Sequence, residues 1–208
     1  GEYTVNITQK QENGDTVVTE KSLKVEPTTS DNTGKNTQKI TVDALPTEGA
    51  AVAEIVGGEK YTSLAEAIKA AKEGDTIKLL NSVTIDTWTQ VWNTKNLTID
   101  GNGKTITINK IESNGNGNYL FYGAENLNVS NMTVNLPENG SGFDMLSGTL
   151  ENVTVNGGTY AVVTGVAPEG QRVEIKNCTF AGQTGMAIYT EENGKAVGTV
   201  IEGCTFDS

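Results

Sequence analysis

Four short segments of the chain repeat one pattern: NLNVSNMTV (126–134), GTLENVTV (148–155), RVEIKNCTF (172–180) and GTVIEGCTF (198–206). Aligned on the residue before the last apolar-Thr-apolar triplet, they share an anchor at Asn131, Asn152, Asn177 and Gly203, at intervals of 21, 25 and 26 residues. A unit of this length built of strands cannot bury its apolar face alone and has to stack on its neighbours.

The stack this predicts is a parallel β-helix. Apolar residues fall at alternate positions on either side of each anchor: Leu127, Val129, then Met132, Val134; Leu150, then Val153, Val155; Val173, Ile175, then Cys178, Phe180; Ile201, then Cys204, Phe206. Alternation puts one face inward and the other outward. At the anchor it slips by one residue, as a bend between two strands requires. Asn and Gly are the residues that tolerate a left-handed backbone at such a bend. Stacked Asn amides are also able to bond along the column.

These residues resemble a known family. The repeat is similar to the right-handed parallel β-helix of the pectate-lyase-like superfamily, and NLTIDGNGKTITI (96–108) resembles its usual early coil, with Gly101 in the anchor place 30 residues before Asn131. EIVGGEKY (54–61) reads as a hairpin on a Gly-Gly turn, followed by SLAEAIKAAKEGDTIKLL (63–80). Ser63 and Glu66 form a capping-box pair, Leu64, Ala67, Ile68 and Ala71 make an apolar stripe, and Gly74 is the stop signal. The resemblance spans about residues 52–208 and implies that this helix, at about 63–73, caps the first coil. It leaves activity open, because the superfamily hosts lyases, hydrolases, esterases and non-catalytic surface proteins.

A net charge of −11 argues against nucleic acid and anionic membrane surfaces, which need a basic partner. No stretch approaches the ~20 apolar residues of a membrane span. Abundant Asn, Thr and Gly, no His and one Arg, Arg172, suggest an extracellular or cell-surface protein, and the Gly-Glu-Tyr start reads as a mature or trimmed chain. Cys178 and Cys204 occupy the same inward place on adjacent coils and are expected as core thiols, since direct stacking suits disulfide geometry poorly.

Residues 1–50 differ in texture. YTVNI (3–7), TVVTE (16–20), SLKV (22–25) and KITV (39–42) read as short strands, ENGD (12–15) as a turn and PTTSDNTGKNTQ (27–38) as a polar loop. Such a segment is expected to pack on the helix or to be the tail of a preceding domain. At the other end the last repeat leaves Ile201, Cys204 and Phe206 uncovered. The expectation there is further coils in the natural chain, or self-association through this open coil.

Enzymes on this fold use outer-face carboxylates with Arg, Lys or His beside them. Here there is no His, and the RVEIK run (172–176) lies inside a repeat strand rather than forming a catalytic motif. The outward column before the anchor runs Asp100, Ser130, Glu151, Lys176, Glu202. Asp100 and Glu151 would stand two coils apart, roughly 9.6 Å at ~4.8 Å per coil, wide for shared metal ligation. A solvated face with a Glu151–Lys176–Glu202 charge ladder is the plainer reading. Thr133, Thr154, Thr179 and Thr205 form an outward ladder that β-propensity explains, and the N-x-T triplets at Asn131, Asn152 and Asn177 are a by-product of the repeat. In DTWTQVW (86–92), Trp88 and Trp92 are expected on one face of a strand, either stacking on sugar rings or packing under the N-terminal strands.

The third strand of each coil reads NYLFY (118–122), GFDML (142–146), TYAVV (159–163) and GMAIY (185–189). With Phe121, Met145, Val162 and Ile188 inward, Leu120, Tyr122, Leu146, Ala161, Val163, Ala187 and Tyr189 face outward and want a cover, for which residues 1–50, a partner chain or a ligand are candidates.

The sequence therefore predicts an all-β protein: a short right-handed single-stranded parallel β-helix (51–208) with an N-terminal capping α-helix and an appended N-terminal β segment (1–50). The expected role is a non-catalytic, adhesin-like module of a secreted or cell-surface bacterial protein, binding glycan or host surface or acting as a rigid spacer. The alternative is a carbohydrate-active enzyme, a polysaccharide lyase or glycosidase, with a degenerate or missing active site. Candidate ligand-binding residues are Trp88, Trp92, Asp100 and Glu151. No catalytic residue, metal ligand or cofactor is expected. Possible partners are a glycan or host-surface ligand and a second copy; nucleic acid and membrane insertion are not expected.

Overall fold

The computed structural model describes residues 2–24, 49–92, 94, 96–113, 115, 117–190 and 198–207. The predicted strand KITV and loop 27–38 lie outside them. Two N-terminal strands, β1 (Glu2–Lys10) and β2 (Thr16–Lys24), form an antiparallel hairpin on the Asn13-Gly14 turn, where Gly14 takes φ 91°. The predicted strands TVVTE and SLKV run together as one strand through Lys24, since nothing between Glu20 and Ser22 breaks it, and Val25 lies outside the described residues. A second hairpin, β3 (Ala53–Ile55) and β4 (Lys60–Tyr61), turns through Gly57 at φ 79°, as expected.

The helix α1 covers Leu64–Ala70, shorter than the predicted 63–73. Ser63 has the extended backbone of an N-cap, but its side chain makes no capping bond, so the predicted capping box does not form. The helix ends at Ala71, which is extended, and Gly74 (φ 85°) serves the turn that follows. Leu64 and Ala67 are buried, while Ile68 and Ala71 pack half-buried on the core. Leu64 meets Trp88, Ile99, Leu120 and Phe143 around one small internal space, which places the helix over the end of the core.

From here the chain winds as a β-solenoid of about five turns. The first turn carries β5 (Thr76–Leu79), β6 (Ser82–Ile85), β7 (Trp88–Thr89) and β8 (Val91–Trp92). The second carries β9 (Thr98–Ile108), β10 (Ile111–Glu112) and β11 (Tyr119–Ala124). The third has β12 (Leu127–Leu136) and β13 (Ser141–Met145), the fourth β14 (Gly148–Gly157) and β15 (Tyr160–Thr164). The fifth has β16 (Val173–Lys176), β17 (Thr179–Ala181) and β18 (Met186–Thr190), and β19 (Val200–Glu202) and β20 (Thr205–Asp207) begin a sixth. All coil-to-coil pairings are parallel: β9–β12–β14 in one sheet, with β16 and β17 continuing it, and β8–β11–β13–β15–β18 in another. The N-terminal hairpin joins the first sheet edge-on, β2 running antiparallel to β6, with Val17 fully buried.

The anchor column is left-handed as predicted: Asn131 (φ 55°), Asn152 (54°), Asn177 (52°) and Gly203 (64°). The amides ladder upward, Asn152 Nδ2 donating to Asn131 Oδ1 at 3.3 Å and Asn131 Nδ2 to Asp100 Oδ1 at 3.3 Å. In the early coil, however, Gly101 is not the left-handed residue. Asn102 (φ 50°) and Gly103 (70°) are, in a bulge that opposes Asn131 with extra residues. Gly101 is instead required by close approach, because a Cβ there would sit 2.1 Å from Met132 Cβ.

Inside, Leu127, Val129, Val134, Leu150, Val153, Val155, Ile175 and Phe180 are at most 1% exposed, which bears out the alternation. The inward column of the other sheet is Phe121–Phe143–Val162–Ile188, so Phe143 takes the place expected for Met145, two residues out of register. Leu120 and Ala161, predicted outward, belong to the core. Leu120 closes on the helix-capped end, and Ala161 O comes so near Gly142 that no side chain fits between the coils there. Val163 is buried but lies outside the core cluster; Tyr122, Leu146 and Ala187 are half-buried and Tyr189 is exposed.

Candidate functional site

Trp88 and Trp92 do not share a face. Trp88 lies on β7 against Ile111, 2% exposed, with Nε1 donating to Leu120 O at 2.9 Å and its ring 6.2 Å from Phe121. It is a core residue with a satisfied polar tip. The chain turns between the two residues, and Trp92 sits on β8 in the second parallel sheet. There its ring packs 4.9 Å from Tyr122, which in turn meets Tyr119 at 5.5 Å. The three rings form a half-buried aromatic cluster on the first two turns. A further pair, Tyr160 and Tyr189, stands 5.6 Å apart on the later turns.

Tyr122 is among the residues expected outward, but its meeting with Tyr119 escapes sequence reasoning, because residues three apart on a regular strand point to opposite faces. Here β11 bulges between Phe121 and Ala124, with Gly123 at φ 62°, and the two rings meet.

The outward acidic column exists in the predicted register, and Lys78 extends it: Lys78, Asp100, Ser130, Glu151, Lys176, Glu202. Asp100 is occupied structurally. Its Oδ1 accepts the backbone N–H of Asn102 at 2.9 Å as well as the Asn131 amide, so it braces the bulge. Lys176 turns to Glu174 on its own strand at 2.5 Å, and Arg172 reaches the other oxygen of Glu174 at 2.6 Å. The ion pairing is thus centred two residues away, on Glu174: hydrogen bonds from Lys176 and Arg172 hold its carboxyl below its usual range, while Glu202 and Glu151 act on Lys176 only through their charge. Among the described residues no group of three or more Asp, Glu, Cys or His side chains is placed to hold a metal ion.

The Thr ladder is longer and wider than predicted. Ser82 and Thr105 precede Thr133, Thr154, Thr179 and Thr205, and a second column runs beside it through Thr84, Thr107, Asn135, Asn156 and Ala181. Asn156 donates to Asn135 and Asn135 to Thr107, each at 2.9 Å, so this face is held by its own side chains. Cys178 and Cys204 are free thiols. Burial pushes the Cys178 thiol up to about 11, and it donates to Lys176 O at 3.2 Å.

A second left-handed corner was not expected: Asn96 (φ 48°) and Asn126 (φ 49°). Asn126 donates to Asn96, and Asn96 to Glu73, which ties the loop after α1 to the first two turns. Between α1 and β8, beside this corner, lies a groove of about 310 Å³ lined by Ile68, Lys69, Lys72, Val91, Trp92 and Thr94.

Fold and surface together define an all-β, β-solenoid protein with one short helix among its described residues. The chain matches no protein-family model, no curated protein and no solved structure. No helix among the described residues is long and apolar enough to cross a membrane.

Proposed function

We propose that the chain is a non-catalytic, adhesin-like module of a secreted or cell-surface bacterial protein, and that it binds glycan. The observation that carries this reading is the Trp92–Tyr122–Tyr119 cluster, a run of three aromatic rings in which Tyr122 meets both neighbours and all three are left half-open. Aromatic faces stack on the C–H faces of sugar rings, and large side chains left partly open are more informative than buried ones. The coils are taken as right-handed and of the pectate-lyase-like type. Parallel crossovers within one sheet are right-handed in nearly all cases, which favours that hand.

Two features weigh against the enzyme alternative. Asp100 is committed to bracing a bulge, and Glu151 is separated from it by the Ser130 rung. Of the four residues singled out from sequence, Trp92 is the one that this reading keeps as a ligand contact. Retention on a panel of immobilised neutral and acidic polysaccharides tests it. Saturable retention of the wild type, weakened by Tyr122→Ala and Tyr119→Ala, is expected. Absence of retention on every glycan sinks the binding reading and leaves the rigid spacer.

A further inference from the structure

The groove between α1 and β8 combines features that the aromatic cluster alone does not have. Its floor is apolar, made by Ile68, Val91 and the Trp92 indole. Its rim carries both signs of charge, Lys69 and Lys72 against Glu73. Two lining residues, Trp92 and Thr94, each carry a buried polar atom, Nε1 and Oγ1, with no hydrogen-bond partner among the described residues. An unmade buried hydrogen bond is costly, so a donor and a hydroxyl without partners, on residues that line a groove, favour a ligand that supplies oxygen atoms once these side chains turn toward it.

The choice of ligand follows from charge and size. A volume of about 310 Å³ is at the lower end of small-molecule pockets and suits a single sugar ring rather than a chain. Each sugar hydroxyl both donates and accepts, which matches a rim holding ammonium donors and a carboxylate acceptor. One Glu73 oxygen already receives the Asn96 amide, and the other remains for the groove. An anionic sugar would gain from Lys69 and Lys72 but would leave Glu73 without a donor and face the carbonyl end of α1 and a chain of net charge −11, whereas a neutral ring uses both signs of the rim.

We propose that this groove is a monosaccharide-sized subsite for the terminal, uncharged pyranose ring of a glycan, an inference that rests on the glycan-binding reading and gives it a place and a ligand class. Trp92 supplies the stacking face and its N–H, Thr94 a hydroxyl, and Lys69, Lys72 and Glu73 bracket the ring hydroxyls.

Two indole N–H cross-peaks in a 15N-labelled sample test this directly, assigned by loss of one in Trp92→Phe. The probes are methyl glycosides of glucose, galactose and mannose, and N-acetylglucosamine, each against glucuronate and galacturonate. The expected result is a saturable shift of the Trp92 peak with at least one neutral sugar, while the Trp88 peak stays fixed. Lys69→Ala with Lys72→Ala, two exposed positions, should raise the apparent Kd about tenfold, the scale of lost hydrogen bonds to charged groups. A larger response to a uronate, a moving Trp88 peak or an unchanged Kd in the double variant overturns the proposal. Silence with every small sugar removes the groove as the site: if retention on polysaccharides persists, the general binding reading survives, and if retention is absent too, both fall.

Discussion

Asn152 holds φ 54° on an exposed corner while its amide reaches back to Asn131 at 3.3 Å. A β-branched side chain in that conformation costs roughly 1–2 kcal/mol from chirality alone. Asn152→Val should therefore lower the denaturant midpoint clearly, and Asn152→Gly much less, since Gly accepts the left-handed backbone and loses only the amide. Equal midpoints for wild type and Asn152→Val would contradict the corner assignment. Cys178 makes a second residue-scale test. Its thiol is held near 11 against an ordinary value of 9.0, so between about 9 and 11 the unfolded chain gives up a proton that the folded chain keeps. Stability from this group is complete below pH 9 and is lost as pH rises toward 11. At pH 8, a thiol reagent should label the half-buried Cys204 and leave Cys178 until the protein is denatured; equal labelling rates would contradict this. The anchor residues are readable from sequence because each is Asn or Gly standing before an apolar-Thr-apolar triplet, at intervals of 21, 25 and 26 residues. Gly101 is misread because two neighbours, Asn102 and Gly103, are equally able to turn left-handed.

At the scale of elements, α1 is seven residues long and too short to stand without tertiary packing. Its stability comes from Leu64 and Ala67 against the solenoid core rather than from its cap. Ser63→Ala should cost less than the usual ~0.5–2 kcal/mol of a lost N-cap, because no cap bond exists to lose. Leu64→Ala should cost ~2–5 kcal/mol, as buried leucine truncations do. Thermal melts of both variants decide it, and a Ser63→Ala variant as damaged as Leu64→Ala would contradict the packing account. Strands and hairpins are legible here because alternation and Gly turns are local signals. The Trp92 groove is not, because it is assembled from a helix end, a two-residue strand and a corner, whose meeting no periodicity announces. Trp88 and Trp92, four residues apart, look like one strand face until the chain turns between β7 and β8.

For the whole molecule, the parallel ladder makes each coil depend mainly on its neighbours. The last strands expose Ile201 (46%) and Phe206 (54%), with the Phe206 ring tilted 34° against Phe180 of the coil before, 5.6 Å away. The 208-residue chain should therefore self-associate in a concentration-dependent way by sedimentation, and Phe206→Lys should weaken that without lowering the melt of the earlier coils. A monomer at high concentration would contradict it. We propose that this solenoid displays a binding surface and performs no chemistry on what it binds. It is tested most directly by incubating the protein with the polysaccharides that retain it and measuring reducing ends and unsaturated-product absorbance over time. Retention with both signals at background, with and without calcium, is the expected result. Sustained turnover that Asp100→Ala or Glu151→Ala abolishes would contradict it.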